Sequence, residues 1–177
     1  GTTSKPIINF EDNGGRAIKD LSIQNSTFYN LQTNSKAYFI RMNNASNARP
    51  DKTWNDTSGS VTMTNNTFYQ TMSKKDFANN MASVDKVITT IKYNIFYNTY
   101  RVQKIAGNTT KAISDNYLYA VESDNVGSLD NTDQTYGTVE NPQFVGPVDK
   151  DPSEVNFVPA NTTKAYSSKA GDPRWFK

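Results

Sequence analysis

The stretch IQNSTFY (residues 23–29) returns as MTNNTFY (63–69), IKYNIFY (91–97) and ISDNYLY (113–119). Each copy has an apolar residue, then a polar corner, then a large apolar residue followed by tyrosine. The leading apolar residue recurs after 40, 28 and 22 positions. Repeats at such periods are typical of chains in which similar units stack on one another.

The spacing inside the motif indicates two short strands joined by a corner. Side chains five positions apart in one uninterrupted strand point to opposite faces, so Ile23 and Phe28 would not share a core. Asparagine suits the corner, because it tolerates left-handed backbone geometry and its amide bonds to nearby backbone groups. Corners stacked about 4.8 Å apart would also let these amides hydrogen-bond to one another. The four corner pairs are Asn25-Ser26, Asn65-Asn66, Tyr93-Asn94 and Asp115-Asn116.

These features predict an all-β fold, a parallel β-helix of about five or six coils with loop insertions and a C-terminal cap. One domain covers residues 1–177. It has a leading strand in residues 1–20, repeated coils in 21–121, and final strands with a cap in 122–177. A β-sandwich, which also contains many short strands, is the alternative fold.

Other stretches extend this prediction beyond the motif copies. Strands are expected at residues 7–10, 38–42 and 100–105, and in the final part at 141–144 and 155–158. Residues 43–60 are polar and form the first insertion. An open stack leaves unpaired backbone and apolar side chains at its end, and a tail with Trp175 and Phe176 can cover them.

Four tyrosines follow the inward-facing positions of the motif and are predicted to point outwards by alternation. An exposed row of their rings would suit the flat faces of sugars. The alternative, which we favour, packs the rings against one another under a loop or the C-terminal tail. The inward residues are Phe28, Phe68, Phe96 and Leu118, and the outward ones are Tyr29, Tyr69, Tyr97 and Tyr119.

The composition excludes several classes of function. Charge is nearly balanced, with 19 basic and 17 acidic residues and no basic block, so nucleic acid is not an expected partner. The chain has no histidine and no cysteine, which removes the commonest general base, disulfides and thiolate metal sites. No stretch is apolar over the length of a membrane span. We interpret Asp115, Asp124, Asp130 and Asp133 as solvated loop acids and predict no metal and no cofactor.

The repeated motif resembles the right-handed parallel β-helix of pectate-lyase-like proteins. The sequences NPQF (141–144), NF (156–157) and AGDPRW (170–175) resemble the closing segment of a family of unknown function from Bacteroidetes. The resemblance runs from about Ile7 to the end of the chain. It implies an exported protein, either a surface lipoprotein or periplasmic, that is associated with polysaccharide utilisation and preceded by further N-terminal modules.

The resemblance implies no catalytic residues. Polygalacturonase-type hydrolases of this fold use an Asn-Thr-Asp segment, an Asp-Asp pair and a Gly-His-Gly. Residues 131–133 match the first, but the chain lacks the other two.

We therefore predict a non-catalytic domain that binds a polysaccharide or oligosaccharide in a groove beside the insertions. The predicted contacts are Tyr38, Arg41, Trp54, Arg101 and Lys104, because the lone Trp lies in a polar insertion and the others lie on expected strands. One alternative is a metal-free polysaccharide lyase, in which Lys, Arg or Tyr abstracts a proton beside a uronate carboxyl. The second is a structural spacer between neighbouring domains.

Overall fold

The computed structural model describes residues 7–11, 20–31, 38–43, 60–71, 77–79, 88–99, 102, 110–121 and 136–177. Strands predominate in these residues, and the α-helix α1 (Lys164–Ser167) is a single turn. The strands are β1 (Ile8–Glu11), β2 (Asp20–Gln24), β3 (Thr27–Tyr29), β4 (Ile40–Asn43), β5 (Ser60–Thr64), β6 (Thr67–Tyr69), β7 (Ala78–Asn79), β8 (Ile88–Lys92), β9 (Ile95–Tyr97), β10 (Thr110–Ser114), β11 (Tyr117–Tyr119) and β12 (Thr138–Val139).

The strands form three parallel sheets. Sheet A has the order β1-β4-β7, sheet B the order β2-β5-β8-β10, and sheet C the order β3-β6-β9-β11-β12. From β1 to β9 the chain passes through sheets A, B and C three times in this order, and each pass lies beside the previous one. The predicted all-β class is confirmed, as are the strands predicted at residues 7–10 and 38–42.

The four motif copies lie directly in register. In sheet B, Ile23 pairs with Met63, Met63 with Ile91, and Ile91 with Ile113. In sheet C the two aromatic positions pair in the same way, from β3 through β6 and β9 to β11. A shift of one residue would turn every apolar side chain of a strand to the opposite face, so burial fixes this register.

The core is built from stacked phenylalanines. Phe68 lies between Phe28 and Phe96, with ring centroids 5.1 Å away on each side and nearly parallel planes. Phe39 and Phe77, at the start of the sheet A strands, meet Phe68 edge to face. Each such aromatic pair stabilises the fold by about 0.5–1.5 kcal/mol, in addition to the effect of the apolar surface that it buries. The predicted inward orientation of these side chains is confirmed.

The first residue of each motif corner has left-handed backbone geometry. The φ angles are 52° at Asn25, 55° at Asn65, 56° at Tyr93 and 56° at Asp115. Asparagine and aspartate tolerate this region better than other residues with a side chain. The corner turns the chain between sheets B and C, so both strands of the motif place their apolar residues in one core.

The second residue of the last three motif corners builds an asparagine ladder, which consists of Asn66, Asn94 and Asn116. All three side chains are fully buried. The Asn66 amide donates to Asn94 Oδ1 at 3.0 Å, and the Asn94 amide donates to Asn116 Oδ1 at 2.9 Å. The amides also donate to backbone carbonyls of sheet B, at 2.8 Å in each case. The predicted bonding between stacked amides is confirmed.

A second corner, which the sequence analysis did not predict, follows the sheet C strands. Asn30, Gln70 and Asn98 have φ angles of 47–52°. The buried hydroxyl of Thr71 donates to Phe28 O in the neighbouring pass and to Tyr69 O in its own pass. The buried hydroxyl of Thr99 donates in the same way to Phe68 O and Tyr97 O. The copies of this corner share only a left-handed residue and, in two of them, a threonine. This sequence pattern is weaker than the aromatic motif.

Residues 140–177 form a C-terminal strap across the outer face of sheet C. The strap begins beside β11, where the Glu140 amide donates to Leu118 O at 3.1 Å. It ends beside β3, where Trp175 Nε1 donates to Thr27 Oγ1 at 2.7 Å. The tail therefore covers the side of the stack, whereas the sequence predicted a cover for its open end.

The strands predicted at residues 141–144 and 155–158 are wrong. Pro142 has no N–H to donate to a sheet, and Asn141 Oδ1 instead accepts from the Gln143 amide at 2.9 Å in a local turn. Asn156 Oδ1 accepts from the Val158 amide at 3.0 Å in the same way. These segments pack against the outside of sheet C and add no strand to it.

Candidate functional site

The predicted carbohydrate contacts fall into two groups. Trp54, Arg101 and Lys104 lie outside the described residues, as do Asp124, Asp130 and Asp133. Tyr38 and Arg41 are half-buried and lie just before and within β4. Arg41 pairs in register with Asn9 on β1 and with Asn79 on β7, which places it in the middle strand of sheet A.

The outward tyrosines form a row that the C-terminal strap covers. Tyr69 and Tyr97 stack with centroids 4.8 Å apart, and Tyr97 lies 5.4 Å from Tyr119. Phe157 lies within 5.5 Å of both Tyr29 and Tyr69, and Phe144 packs on the same row. Tyr69 is only 5% exposed. The interpretation that the tyrosines lie under the C-terminal tail is confirmed for Tyr29, Tyr69 and Tyr97, which pack against residues of the strap.

Because Tyr69 is buried under the strap, its pKa reports whether the strap is in place. Loss of solvent, followed by the negative charge of Asp149 and by Tyr97, raises the pKa of Tyr69 to about 12 from its ordinary value of 10.0. The phenol lies 3.5 Å from Asp149 Oδ2, and Gln70 Nε2 donates to it at 3.3 Å.

We expect the free energy of unfolding to fall as pH rises from about 10 to about 12. In this window the unfolded chain has lost the Tyr69 proton and the folded chain keeps it, so the unfolded state binds fewer protons. Two pH units correspond to about 2–3 kcal/mol. Urea unfolding at pH 9, 10.5 and 11.5 measures the slope. Tyr69→Phe keeps the ring and should remove this contribution, and an unchanged slope in that variant would contradict the assignment.

The AGDPRW motif pins the strap to sheet C. Asp172 is fully buried, and its Oδ2 accepts from Thr27 Oγ1 at 2.8 Å. Its Oδ1 accepts from the Arg174 backbone amide at 3.0 Å, and the carboxylate forms an ion pair with the Arg174 guanidinium. Trp175 packs edge to face on Phe157. The residues that carry the family resemblance thus hold the fold together in this chain.

Gly171 allows the strap to approach the sheet closely. Its φ of 93° lies in the region that favours glycine, and a Cβ there would sit 2.7 Å from Thr67 Oγ1 and 3.0 Å from Ile95 Cδ1. The Gly171 amide donates to Tyr93 O at 2.7 Å, and the Asp172 amide donates to Thr67 Oγ1 at 3.0 Å. A side chain at this position would separate the strap from β6 and β9.

The outer face of sheet B, in contrast, carries polar side chains that are half-buried or exposed. Ile23, Met63 and Ile91 alternate along their strands with half-buried or exposed residues that point away from the core. These outward residues include two rows that are in register across the four strands. The first row is Ser22, Thr62, Thr90 and Ala112, and the second is Gln24, Thr64, Lys92 and Ser114. We call the two rows the polar face.

Hydrogen bonding leaves part of the polar face available to a ligand. Thr64 Oγ1 donates to Gln24 Oε1 at 3.3 Å, and Gln24 Nε2 is hydrogen-bonded to Ser22 Oγ. The hydroxyls of Thr62 and Thr90 have no hydrogen-bond partner among the residues that the structure describes. Sequence reasoning missed this face, although alternation of small polar residues with Leu21, Ile23, Val61 and Met63 marks it.

Two observations on the described residues concern the metal site and the membrane span that the sequence does not predict. Among residues with a described position, no group of three or more acidic residues could hold a metal ion. Asp115 is exposed at its corner, as expected for a solvated acid. In the same part of the chain, no helix has the length and apolar character needed to cross a membrane.

Comparisons of the chain with protein-family models, with curated proteins and with solved structures find no match.

Proposed function

We propose that this protein is a right-handed parallel β-helix domain that binds carbohydrate and has no catalytic centre of its own. The constant order of the three parallel sheets and the register of the motif copies support the fold. The proposal includes export, to the cell surface as a lipoprotein or to the periplasm, and membership of the Bacteroidetes family that the chain resembles. An experimental structure in which the passage from sheet A to sheets B and C is left-handed would contradict the fold.

The polar face of sheet B is the observation that carries the binding proposal. Sheet C is covered by the strap, and its outward residues Ile95 and Tyr117 are buried. Sheet B presents small hydroxyl and amide side chains at the spacing of neighbouring strands, which is about 4.8 Å. Side chains of Ser, Thr and Gln donate and accept hydrogen bonds, as sugar hydroxyls do. A flat surface with repeated positions suits an extended glycan chain.

Three of the contacts predicted from sequence lie in chain segments that lead to strands of sheet B. Trp54 lies in the segment that joins β4 of sheet A to β5 of sheet B. Arg101 and Lys104 lie between β9 of sheet C and β10 of sheet B. Each of these segments therefore ends at a strand that carries the polar face. We propose that Trp54, Arg101 and Lys104, which lie outside the described residues, contact the same glycan, as do Tyr38 and Arg41 of sheet A.

Binding to a glycan panel tests the proposal. We expect the protein to bind at least one polysaccharide in a panel that contains neutral, uronate-containing and sulfated polymers. The double variant Thr62→Val/Thr90→Val removes two hydroxyls at constant shape and should weaken that binding at least about fivefold, since each hydrogen bond is worth about 0.5–1.5 kcal/mol. Calorimetric titration measures the change in Kd.

Thr138→Val is the matched control, because Thr138 is exposed on β12 of sheet C and lies on another sheet. It should bind as the wild type does. An equal loss in the control, or full binding by the double variant, would show that the polar face is not the binding surface. Release of an unsaturated product from a uronate polymer, abolished by Arg101→Ala or Lys104→Ala, would instead establish the lyase alternative.

The covered tyrosine row supports a second candidate, a structural spacer. The strap buries the aromatic surface that a sugar platform would need, so the outer face of sheet C contributes to stability alone. A spacer binds no member of the glycan panel. Retention of full function in a parent protein whose polar face carries Thr62→Val/Thr90→Val would also favour this candidate.

A further inference from the structure

Charge is unevenly distributed along the C-terminal strap. Residues 164–177, which we call the basic tail, contain Lys164, Lys169, Arg174 and Lys177 and a single carboxylate, Asp172. That carboxylate is fully buried and paired with Arg174. The three lysines are exposed. The surface of the basic tail is therefore cationic in a chain whose total charge is only +2.

The basic tail lies against the corner that borders the polar face. The Asn65 side-chain amide is 3.4 Å from the carbonyl oxygen of Lys169, and the Gly171 amide donates to Tyr93 O at 2.7 Å. Tyr93 directly follows Lys92, which lies in the second row of the polar face. Lys92 and Lys169 thus belong to two elements that meet at one corner of the stack.

Aromatic rings are exposed at the same corner and on the basic tail. Tyr93 is 37% exposed and Tyr166 is 40% exposed, and both are among the most exposed large apolar side chains of the described residues. Tyr166 is supported by Phe176, whose ring centroid lies 5.7 Å away. Exposed tyrosine rings beside lysines present flat faces and positive charge to the same ligand.

Two carboxylates limit the cationic surface. Asp115 is exposed at the corner that follows Tyr93 in the stack. Glu140 accepts hydrogen bonds from the backbone amides of Lys164 and Ala165, each at 3.0 Å, so it is held at the start of α1. Lys92 and Lys169, with the exposed rings of Tyr93 and Tyr166, form the remaining cationic region.

We propose that this region, the basic corner, binds the anionic groups of a carboxylated or sulfated polysaccharide that lies along the polar face. Lys92 and Lys169 hold the anionic groups, and Tyr93 and Tyr166 contact the sugar rings. The inference rests on the proposed carbohydrate binding and deepens it, because it names the charge of the ligand and a second set of contacts. Attraction between exposed charges also makes the binding weaker at higher salt.

Polymers that share a backbone test the charge directly. The probes are dextran, which is neutral, dextran sulfate, which carries only sulfates, and carboxymethyl dextran, which carries only carboxylates. We expect dextran sulfate or carboxymethyl dextran to bind at least about tenfold more tightly than dextran at low salt, with the difference shrinking at high salt. The anionic polymer that binds identifies the group that the basic corner prefers.

Variants locate the site. Lys92→Gln/Lys169→Gln should weaken binding of the anionic polymer at least about tenfold. Lys169→Gln alone changes a residue outside the polar face and should leave binding of any neutral glycan unchanged. Lys150→Gln is the matched control, since Lys150 is exposed between Asp149 and Asp151, and should have no effect. Tyr166→Ala should also weaken binding, a loss that attraction to net charge alone does not produce.

The outcomes separate this inference from the proposed function. If dextran and the anionic polymers bind alike, or if Lys92→Gln/Lys169→Gln binds as well as the wild type, the basic corner is wrong and carbohydrate binding stands. If Lys150→Gln weakens binding of the anionic polymer as much as Lys92→Gln/Lys169→Gln does, the basic corner is also wrong. Binding would then depend on the net charge of the protein and not on this site. If no member of the full panel binds, neutral or anionic, the proposed function itself fails.

Discussion

Asn94→Ala is expected to lower the free energy of unfolding by about 5 kcal/mol, because the change removes a cluster of buried hydrogen bonds and leaves the Asn66 backbone amide without its acceptor. The Asn94 amide donates to Met63 O at 2.8 Å and to Lys92 O at 3.0 Å. Its Oδ1 accepts from the Asn66 backbone amide at 3.0 Å. Each buried group that loses its partner costs about 1–3 kcal/mol, and the alanine also leaves a cavity. Urea unfolding followed by circular dichroism measures the loss.

The effect should be large because Asn94 is the middle member of the asparagine ladder. Its bonds join the passes that contain β5, β8 and β10, and in a stacked chain the contacts between neighbouring units provide much of the stability. We therefore also expect a broader unfolding transition in the variant, since the passes on either side become less strongly coupled.

Ser26→Ala provides the control at the end of the ladder. Ser26 occupies the position of the ladder asparagines in the first pass, but its hydroxyl donates only to the exposed Gln24 O, at 2.8 Å. Its backbone amide still donates to Asn66 Oδ1 after the change. The loss should stay below about 0.5 kcal/mol, as for most exposed substitutions. If Asn94→Ala were as stable as Ser26→Ala, the ladder would not hold the passes together.

The sequence predicted the repeated part of the molecule well because one repeated pattern encodes both burial and backbone geometry. The five-residue separation of Ile23 and Phe28 requires a corner, and asparagine or aspartate at three of the four left-handed positions provides it. Tyr93 occupies the fourth such position without that advantage, so the repeat rather than the residue alone located the corner. Apolar alternation then fixed which side chains enter the core.

The C-terminal strap was less predictable because its contacts are distant in sequence. The partners of Asp172 and Trp175 include Thr27, which lies 145 and 148 positions earlier. No local pattern encodes such a pairing. Pro142 and Gln143 also form a local turn in a segment that is as apolar and aromatic as a short strand. The sequence therefore indicated a closing segment and left its position on the outside of sheet C undetermined.

The candidate site was harder to predict than the core. Functional reasoning from sequence favours aromatic and charged residues, and it selected Tyr38, Arg41 and Trp54. The polar face consists largely of serine and threonine, which are also common strand residues. These side chains form rows only because four strands pair in register. The position of the strap shows that the outer face of sheet C is covered. Surface function in this protein depends on which sheet faces remain uncovered.

Asp172→Ala is expected to lower the free energy of unfolding by about 4 kcal/mol and to loosen the strap. The carboxylate accepts from the Thr27 hydroxyl and from the Arg174 backbone amide, and each charge-assisted bond of this kind is worth about 1.5–3 kcal/mol. The ion pair with Arg174 adds little, since that side chain is 61% exposed and water replaces the carboxylate. Urea unfolding measures the loss of stability.

Tyr69 distinguishes a loosened strap from a general loss of stability. Because burial under the strap is the main cause of its raised pKa, that pKa should fall from about 12 towards 10 when the strap leaves sheet C. The absorbance of the phenolate measures this change while circular dichroism reports that the strands persist. Asp151→Ala, which alters an exposed aspartate of the same strap, should preserve both the stability and the titration of Tyr69. A stable Asp172→Ala protein in which Tyr69 still titrates near 12 would show that apolar packing by Phe157 and Phe144 holds the strap without the carboxylate.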